Sequence, residues 1–162
     1  MKKLICILTF FISSNIYSQV NNSTEIINWF SLEKAQKYSK KYNQNILIYF
    51  YKKDCQFCDR MQNETLSDPE VIKIINENFI PVKIDGYTKK VISFNGDKYS
   101  NQQPIEDGYS FRHDLYFNLG SYDNKIITPT IVIIDDNLNK SEQFTGFHPK
   151  IQLLRKIKNI TQ

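Results

Sequence analysis

Hydrophobic and polar residues follow helix-like and strand-like periods in different parts of the chain. The segment SLEKAQKYSKKYN, residues 31–43, carries apolar residues at helical spacing and predicts an amphipathic helix capped by Ser31. It is followed by ILIYFY at 46–51, a continuous apolar run that is short enough for a buried central strand. The pattern therefore predicts a helix that leads into the middle of a sheet.

Further helices are predicted after Cys58. The segment DRMQNETL is compatible with a helix, and SDPE then supplies Ser67 or Asp68 as the cap of a second helical segment, VIKIINENF. Pro69 falls in the first turn of that helix, and Glu70 is placed to reach back to the cap.

Three more strands and a last helix complete the pattern. FIPVKID at 79–85 and TIVIID at 130–135 predict strands, and a polar edge strand ends near FTGF. Pro149 can open a final helix. One apolar stripe is predicted along it, formed by Ile151, Leu154, Ile157 and Ile160.

Residues 86–127 are too many for a short connection between these strands. Asn95-Gly96 between apolar or aromatic residues predicts a hairpin, and YSFRHDLYFNLG predicts a short helix closed by Gly120. A structureless loop of this length is uncommon inside a domain. We therefore predict an ordered insertion.

The length of 162 residues allows one domain with a substantial core and not two. Two lysines precede an apolar run that is too short to span a bilayer, and small and polar residues follow, which predicts a signal peptide at 1–18. Cys6 would leave with it. We expect a single domain at 19–162, located in the periplasm or secreted, with no stable membrane insertion after cleavage.

The charge pattern argues against nucleic acid as a partner. The formal net charge is only +4, and the basic residues are spread over helical segments such as EKAQKYSKKY rather than gathered in one stripe.

Cys55 and Cys58, within YKKDCQFCDRM, are the only cysteines expected after signal cleavage. As a structural bridge they would close too small a loop to stabilise the fold appreciably. A structural zinc site lacks ligands, since only His113 and His148 could be added. A copper site that uses the thiolates with a histidine or Met61 remains an alternative.

A redox pair has positive physical support. If a helix opens at or just before Cys55, its amide groups and dipole stabilise a thiolate there. Lys52 and Lys53 favour that thiolate, whereas Asp54 opposes it. Cys58, one turn later, would be more buried and could resolve a mixed disulfide on Cys55.

Four segments together resemble the thioredoxin superfamily, especially its secreted or periplasmic members. They are ILIYFY, the CQFC that follows it, FIPVKID, and TPT at 128–130 before IVIID. The resemblance covers about residues 26–160 apart from the insertion. It implies an α/β thioredoxin-like fold, a central mixed β-sheet flanked by helices, with the ordered insertion before the cis-proline strand. It also implies that Pro129 is the cis-proline facing the disulfide and that Thr128 offers its backbone to a substrate chain.

The sequence departs from thioredoxin at several positions around the pair. Asp54 replaces the tryptophan before the first cysteine, and Gln56-Phe57 replaces Gly-Pro between the cysteines. Tyr49 replaces the buried aspartate. A proton relay to Cys58 would then need water, Glu64 or a residue of the insertion.

His113, in FRHDL, is the candidate from the insertion, because a histidine near a thiolate can shift its pKa or move its proton. The simpler interpretation is a histidine at the surface or on a helix face beside Asp114.

The sequence thus predicts an exported thiol-disulfide oxidoreductase, with reduction favoured over oxidation. Protein or peptide disulfides would be its substrates, an unidentified electron donor or acceptor its redox partner, and no dissociable cofactor or metal would be needed. The alternative is a non-enzymatic module on the same fold that handles copper or holds peptides as a chaperone.

Overall fold

The computed structural model describes residues 25–108 and 110–161. The signal peptide predicted at 1–18 lies outside the described residues, as does the domain start at residue 19. Among the described residues, no helix has both the length and the apolar character that crossing a membrane requires.

Five α-helices and eight β-strands follow one another along the described chain. In chain order they are α1 (Leu32–Tyr42), β1 (Ile46–Tyr51), α2 (Gln56–Arg60), α3 (Pro69–Asn78), β2 (Ile80–Asp85), β3 (Ile92–Phe94), β4 (Asp97–Tyr99), α4 (Asp114–Gly120), β5 (Ser121–Tyr122), β6 (Lys125–Ile126), β7 (Thr130–Ile134), β8 (Lys140–Thr145) and α5 (Lys150–Ile160). A π-helical turn, Met61–Thr65, continues α2, and a 3-10 turn, Ile105–Asp107, lies in the insertion.

Four strands form the central mixed sheet in the order β2–β1–β7–β8. β1 runs parallel to β2 and antiparallel to β7, which is antiparallel to β8. The predicted central position of β1 is confirmed, and its residues from Ile46 to Phe50 are all buried. Phe50 pairs with Thr130, so the end of β1 lies beside the start of β7. This pairing brings the cysteine segment and the Thr128-Pro129 segment to the same edge of the sheet.

The two faces of β1 belong to two separate hydrophobic cores. Leu47 and Tyr49 pack with α3 and α5 on one face. Ile46, Ile48 and Phe50 pack with α1 and α4 on the other. Successive side chains of a strand point to opposite faces, so a strand that is apolar throughout needs a helical layer on each side. The predicted α/β class, with a mixed sheet flanked by helices, is confirmed.

The apolar stripe predicted along α5 is partly wrong. Ile151 is 78% exposed, whereas Leu153, which the predicted stripe omits, is fully buried. Positions spaced by three residues drift by about 60° per step on a helix with 3.6 residues per turn. The stripe therefore winds around the helix, and the buried face comprises Leu153, Leu154 and Ile157.

The start of α3 matches the prediction except for one side chain. Asp68 caps the helix, but Glu70 does not reach back to it. The Asp68 amide donates instead to the Thr65 carbonyl (3.2 Å). The Glu70 carboxylate pairs with Lys150 (3.3 Å) and Lys158 (3.1 Å) of α5, because two ammonium groups attract it more strongly than one amide already bonded elsewhere.

The described part of the insertion is ordered and forms the predicted hairpin and short helix, although the helix begins only at Asp114. Asn95 and Gly96 connect β3 and β4 with φ values of 51° and 90°, the left-handed pair that a two-residue hairpin turn needs. The predicted short helix is α4, which ends at Gly120. The paired strands β5 and β6 then lead into the Pro129 loop, residues 127–129.

Candidate active site

The chain leaves β1 and turns sharply into the cysteine pair. Asp54 adopts a left-handed backbone conformation (φ 52°), and Cys55 is the N-cap residue of α2. Cys55 and Cys58 form a disulfide with their Cα atoms 5.2 Å apart. The predicted helix start at the first cysteine is confirmed.

One backbone amide at the start of α2 points at the Cys55 sulfur. The Cys58 backbone amide donates to Cys55 Sγ at 3.2 Å. The amides of Cys58 and Asp59 both donate to the Cys55 carbonyl, at 2.9 and 3.0 Å. Helix N-terminal amides stabilise anions, so this geometry favours a thiolate on Cys55 in the reduced form.

The two sulfurs differ in access to solvent. Cys58 is only 3% exposed, whereas Cys55 is half-buried. Phe57, between them, is 53% exposed. Cys55 is therefore the more exposed of the two sulfur-bearing residues and the more accessible to a reactant.

The Pro129 loop faces the first cysteine. The Thr128-Pro129 peptide bond is cis, and the Thr128 carbonyl oxygen lies 4.0 Å from Cys55 Sγ. The Pro129 carbonyl accepts from the Gly146 amide (2.7 Å), which ties the loop to the end of β8. The structure thus brings Cys55 close to Thr128 and Pro129, which follow it by more than 70 positions in the sequence.

Tyr49 lies behind the pair, where the resemblance to thioredoxin places it. The residue is 1% exposed, and its hydroxyl donates to the Cys58 carbonyl at 3.2 Å. Burial raises the pKa of Tyr49, with a smaller contribution from the nearby Asp59 carboxylate. Tyr49 is therefore a neutral donor that holds the first turn of α2, not a proton acceptor like a carboxylate.

A cavity of about 310 Å³ opens beside Cys58, and one of its lining residues was not predicted from the sequence. Lys83 of β2 lines it, with Nζ 4.8 Å from the centre of the Tyr51 ring and 2.8 Å from Gln62 Oε1. Desolvation lowers the pKa of Lys83. The available signal was a lysine inside the apolar segment FIPVKID, whose register opposite Tyr49 only the sheet reveals.

The other candidate modulators lie around the pair at the surface. Lys53 and Asp54 are exposed immediately before Cys55. Glu64, named as a candidate relay, is bound through both carboxylate oxygens by Arg60, at 3.0 and 3.1 Å. This ion pair gives Glu64 a surface role and argues against its serving Cys58.

His113 is fully buried, and both of its ring nitrogens are engaged. Nδ1 accepts from the Leu115 amide (3.1 Å), so Nε2 carries the proton and donates to the Lys90 carbonyl (2.9 Å). His113 is therefore the N-cap of α4. Neither nitrogen is left for a cysteine thiolate, so the structure does not support the proposed modulating role.

We expect His113→Ala to lower the free energy of unfolding by about 2 kcal/mol, since it removes a cap and leaves buried backbone groups without partners. Desolvation lowers the pKa of His113 in the folded state. Its contribution is thus complete above the unfolded value of about 6.5 and is lost as pH falls toward the folded value. Urea unfolding at pH 7.5 and 5.5 measures both effects.

His113→Asn is the matched variant, because asparagine can cap α4 and does not titrate. It should lose less stability than wild type between these two pH values. His148→Asn serves as the comparison. Desolvation also lowers the pKa of His148, so this variant shows how much of the pH dependence comes from the other histidine. An unchanged pH dependence in His113→Asn would contradict the assignment.

Comparison with known proteins adds the family to this geometry. Residues 32–161 match the family described as the thioredoxin-like domain. The chain belongs to this family. It is also 23% identical to an uncharacterized protein of Archaeoglobus fulgidus over 79 residues, which are 49% of this chain and 60% of that protein. The match thus spans less than two thirds of the relative.

Three solved structures illustrate the similarity of fold. DsbH oxidoreductase superposes with a TM-score of 0.62 and 19% identity, covering 90% of this chain and 91% of that one. A thioredoxin from Thermus thermophilus gives 0.58 and 16%, covering 84% and 87%. A disulphide isomerase from Xylella fastidiosa Temecula1 gives 0.56 and 15%, covering 98% and 100%.

The TM-scores of these superpositions establish a shared fold and, at such low identities, the fold alone. Membership of the thioredoxin-like family, together with the Cys55-Cys58 disulfide at the start of a helix, supports a thiol-disulfide oxidoreductase in general terms.

Proposed function

We propose that this protein is an exported thiol-disulfide oxidoreductase that reduces disulfides in proteins or peptides. The observation that carries the proposal is the position of Cys55, which caps α2, is half-buried and has the Thr128 carbonyl 4.0 Å from its sulfur. A reactive sulfur is thereby placed beside a backbone that a substrate chain can follow.

The reaction begins with the reduced dithiol. The Cys55 thiolate attacks one sulfur of the substrate disulfide, a new S–S bond forms, and the other substrate sulfur leaves as a thiolate that takes a proton from water. Cys58, after losing its proton, attacks Cys55 Sγ and releases the second substrate thiolate. Two electrons pass from the protein to the substrate, and the Cys55-Cys58 disulfide remains.

Several residues of the chain assist these steps. The Cys58 amide, 3.2 Å from Cys55 Sγ, stabilises the attacking thiolate. Tyr49 holds the Cys58 carbonyl and thus the turn that keeps the two sulfurs together. Thr128 and Pro129 present the substrate-binding backbone. A dithiol donor must reduce the disulfide again, and no dissociable cofactor is required.

Export rests on the N-terminal sequence, in which Lys2 and Lys3 precede an apolar run. The reductive direction rests on the size of the insertion, which is too short to form the inserted helical domain of the thioredoxin-fold oxidases. The names DsbH oxidoreductase and disulphide isomerase suit disulfide exchange without fixing its direction.

The equilibrium potential of Cys55-Cys58, measured by thiol trapping in glutathione buffers, tests the proposal. A reductase should have a value near that of thioredoxin, about −270 mV, and an oxidase one near about −120 mV. The difference corresponds to about 7 kcal/mol and is readily resolved. A pair that formed no intramolecular disulfide at any buffer ratio would rule out the redox function.

No second function is proposed, because no specific observation favours one. The described residues hold no group of three or more His, Cys, Asp and Glu arranged for a metal ion. Met61, the thioether considered for copper, is fully buried. Titration of the reduced protein with Cu(I) remains the experiment that would favour the copper-handling alternative.

A further inference from the structure

Tyr116 connects the insertion to the Pro129 loop. It lies in the middle of α4 and is fully buried. Its hydroxyl donates to the Ile127 carbonyl at 3.0 Å and lies 3.2 Å from Thr128 Oγ1. A side chain of the insertion therefore contacts the two residues that precede Pro129.

The Tyr116 ring is held rigidly. It stacks on Phe50 of β1, with ring centroids 4.5 Å apart and planes inclined by 15°. Gly86 and Gly120 flank the ring so closely that a Cβ atom added to either would lie 2.2 or 2.7 Å from a ring carbon. Only glycine fits at these two positions without displacing the ring. The ring is therefore held in one orientation, in which its hydroxyl faces the Pro129 loop.

α4 itself is fixed at both ends. His113 caps its N-terminus. At its C-terminus, Lys140 Nζ donates to the Leu119 carbonyl (3.0 Å), and Gln143 Nε2 donates to the Gly120 carbonyl (2.8 Å). Lys140 and Gln143 both belong to β8, so the helix that carries Tyr116 is attached to the central sheet.

The Ile127 carbonyl receives a second hydroxyl. Thr130, the first residue of β7, is fully buried and donates to it through Oγ1. Tyr116 approaches from α4 and Thr130 from the sheet, so the loop is held between them. The next carbonyl along the chain, that of Thr128, is the one near Cys55 Sγ.

We propose that Tyr116 is a positioning residue for thiol-disulfide exchange, which orients the Thr128 backbone so that an extended peptide segment carrying the target disulfide can dock beside Cys55. The inference rests on the proposed function and deepens it. The loop must present its backbone in one orientation, and ordering it only on binding would weaken the docking of a chain. Tyr116 does not touch the reacting sulfurs, so intrinsic thiol reactivity should not depend on it.

Tyr116→Phe tests this inference, because it removes the hydroxyl and keeps the clamped ring. Two rates are measured on the reduced protein: reduction of a peptide that contains a disulfide, and alkylation of Cys55 by iodoacetamide, which needs no docking. We expect the first rate constant to fall about threefold to tenfold, the effect of losing one hydrogen bond. The second should stay within about twofold, since the start of α2 is unaltered.

Tyr99→Phe is the matched control. Tyr99 belongs to the same insertion and packs against the same core, and both of its rates should equal those of wild type. Loss of stability alone would change the melting temperature and leave the ratio of the two rates unchanged. The ratio therefore distinguishes positioning from a merely structural role.

Thr128→Val provides a second variant that leaves the buried ring untouched, in case Tyr116→Phe folds poorly. It removes the partner hydroxyl and should lower the same ratio, and the effects of the two changes should not add. Ratios equal to that of wild type would overturn the inference alone. A wild-type protein that is alkylated normally but cannot reduce the peptide would overturn the proposed function and this inference with it.

Discussion

Cys55→Ser is expected to abolish reduction of a peptide disulfide, whereas Cys58→Ser should stop after one step as a stable mixed disulfide. The difference follows from burial, because Cys55 is half-buried and Cys58 is 3% exposed. The Cys58 amide also supports negative charge on Cys55 Sγ at 3.2 Å. The first attack therefore belongs to Cys55, and only the resolving step belongs to Cys58.

Mass spectrometry under non-reducing conditions measures this outcome after the reduced variants meet an excess of peptide disulfide. Cys58→Ser should gain one peptide per chain, and Cys55→Ser should gain no more than the double variant Cys55→Ser/Cys58→Ser. That double variant also reports any reaction at Cys6 in protein that retains its N-terminus. Rapid adduct formation by Cys55→Ser would reverse the assigned roles.

Local patterns predicted the main elements because their periods are set by burial. The apolar run at 46–51 leaves few choices other than a strand covered on both faces, and Asp68 caps α3 as expected. The errors arose where residues outside the segment determine which side chains are paired or buried. Glu70 is drawn to α5, and the buried face of that helix is rotated away from Ile151.

The same distinction applies to the candidate site. The proximity of Cys55 to Thr128 and Pro129 was predictable, since the resemblance to thioredoxin rests on short motifs that contain them. The function of Tyr116 was not, because its role depends on a hydroxyl that meets a carbonyl 11 positions away across a hairpin. His113 was singled out for its chemistry, but both of its nitrogens bind the backbone, one as the local cap of α4 and the other in a tertiary contact with the Lys90 carbonyl.

Gly86→Ala is expected to cause the largest loss of stability, about 3 kcal/mol, at the upper end of what overpacking a core usually costs. The added Cβ would lie 2.2 Å from Tyr116 Cδ1. The glycine backbone cannot retreat, because its amide donates to the Tyr51 carbonyl (2.8 Å) and its carbonyl accepts from the His113 amide (2.7 Å). The ring cannot retreat either, since Gly120 closes its opposite side.

Urea unfolding of four variants, namely Gly86→Ala, Gly96→Ala, Tyr116→Leu and Tyr116→Leu/Gly86→Ala, separates this clash from the general cost of replacing glycine. Gly96→Ala is the control, because Gly96 has a φ of 90° but nothing within 4 Å of the added Cβ, and it should lose about 1 kcal/mol. In a Tyr116→Leu background, which lacks the ring, the penalty of Gly86→Ala should shrink by more than half. An equal penalty in both backgrounds would show that the ring is not the cause.

Gly86→Ala should also affect the reaction of the cysteine pair with a peptide disulfide, through the Pro129 loop. A displaced Tyr116 ring would carry its hydroxyl away from Ile127 and Thr128, so the Gly86→Ala protein that remains folded should reduce a peptide disulfide more slowly while iodoacetamide alkylates it at the normal rate. Gly96→Ala, in the β3–β4 hairpin, should leave both rates unchanged at the same temperature. Equal slowing of both rates in Gly86→Ala would indicate that the start of α2 is disturbed directly. It would contradict an effect that passes from Gly86 through Tyr116 to the Pro129 loop.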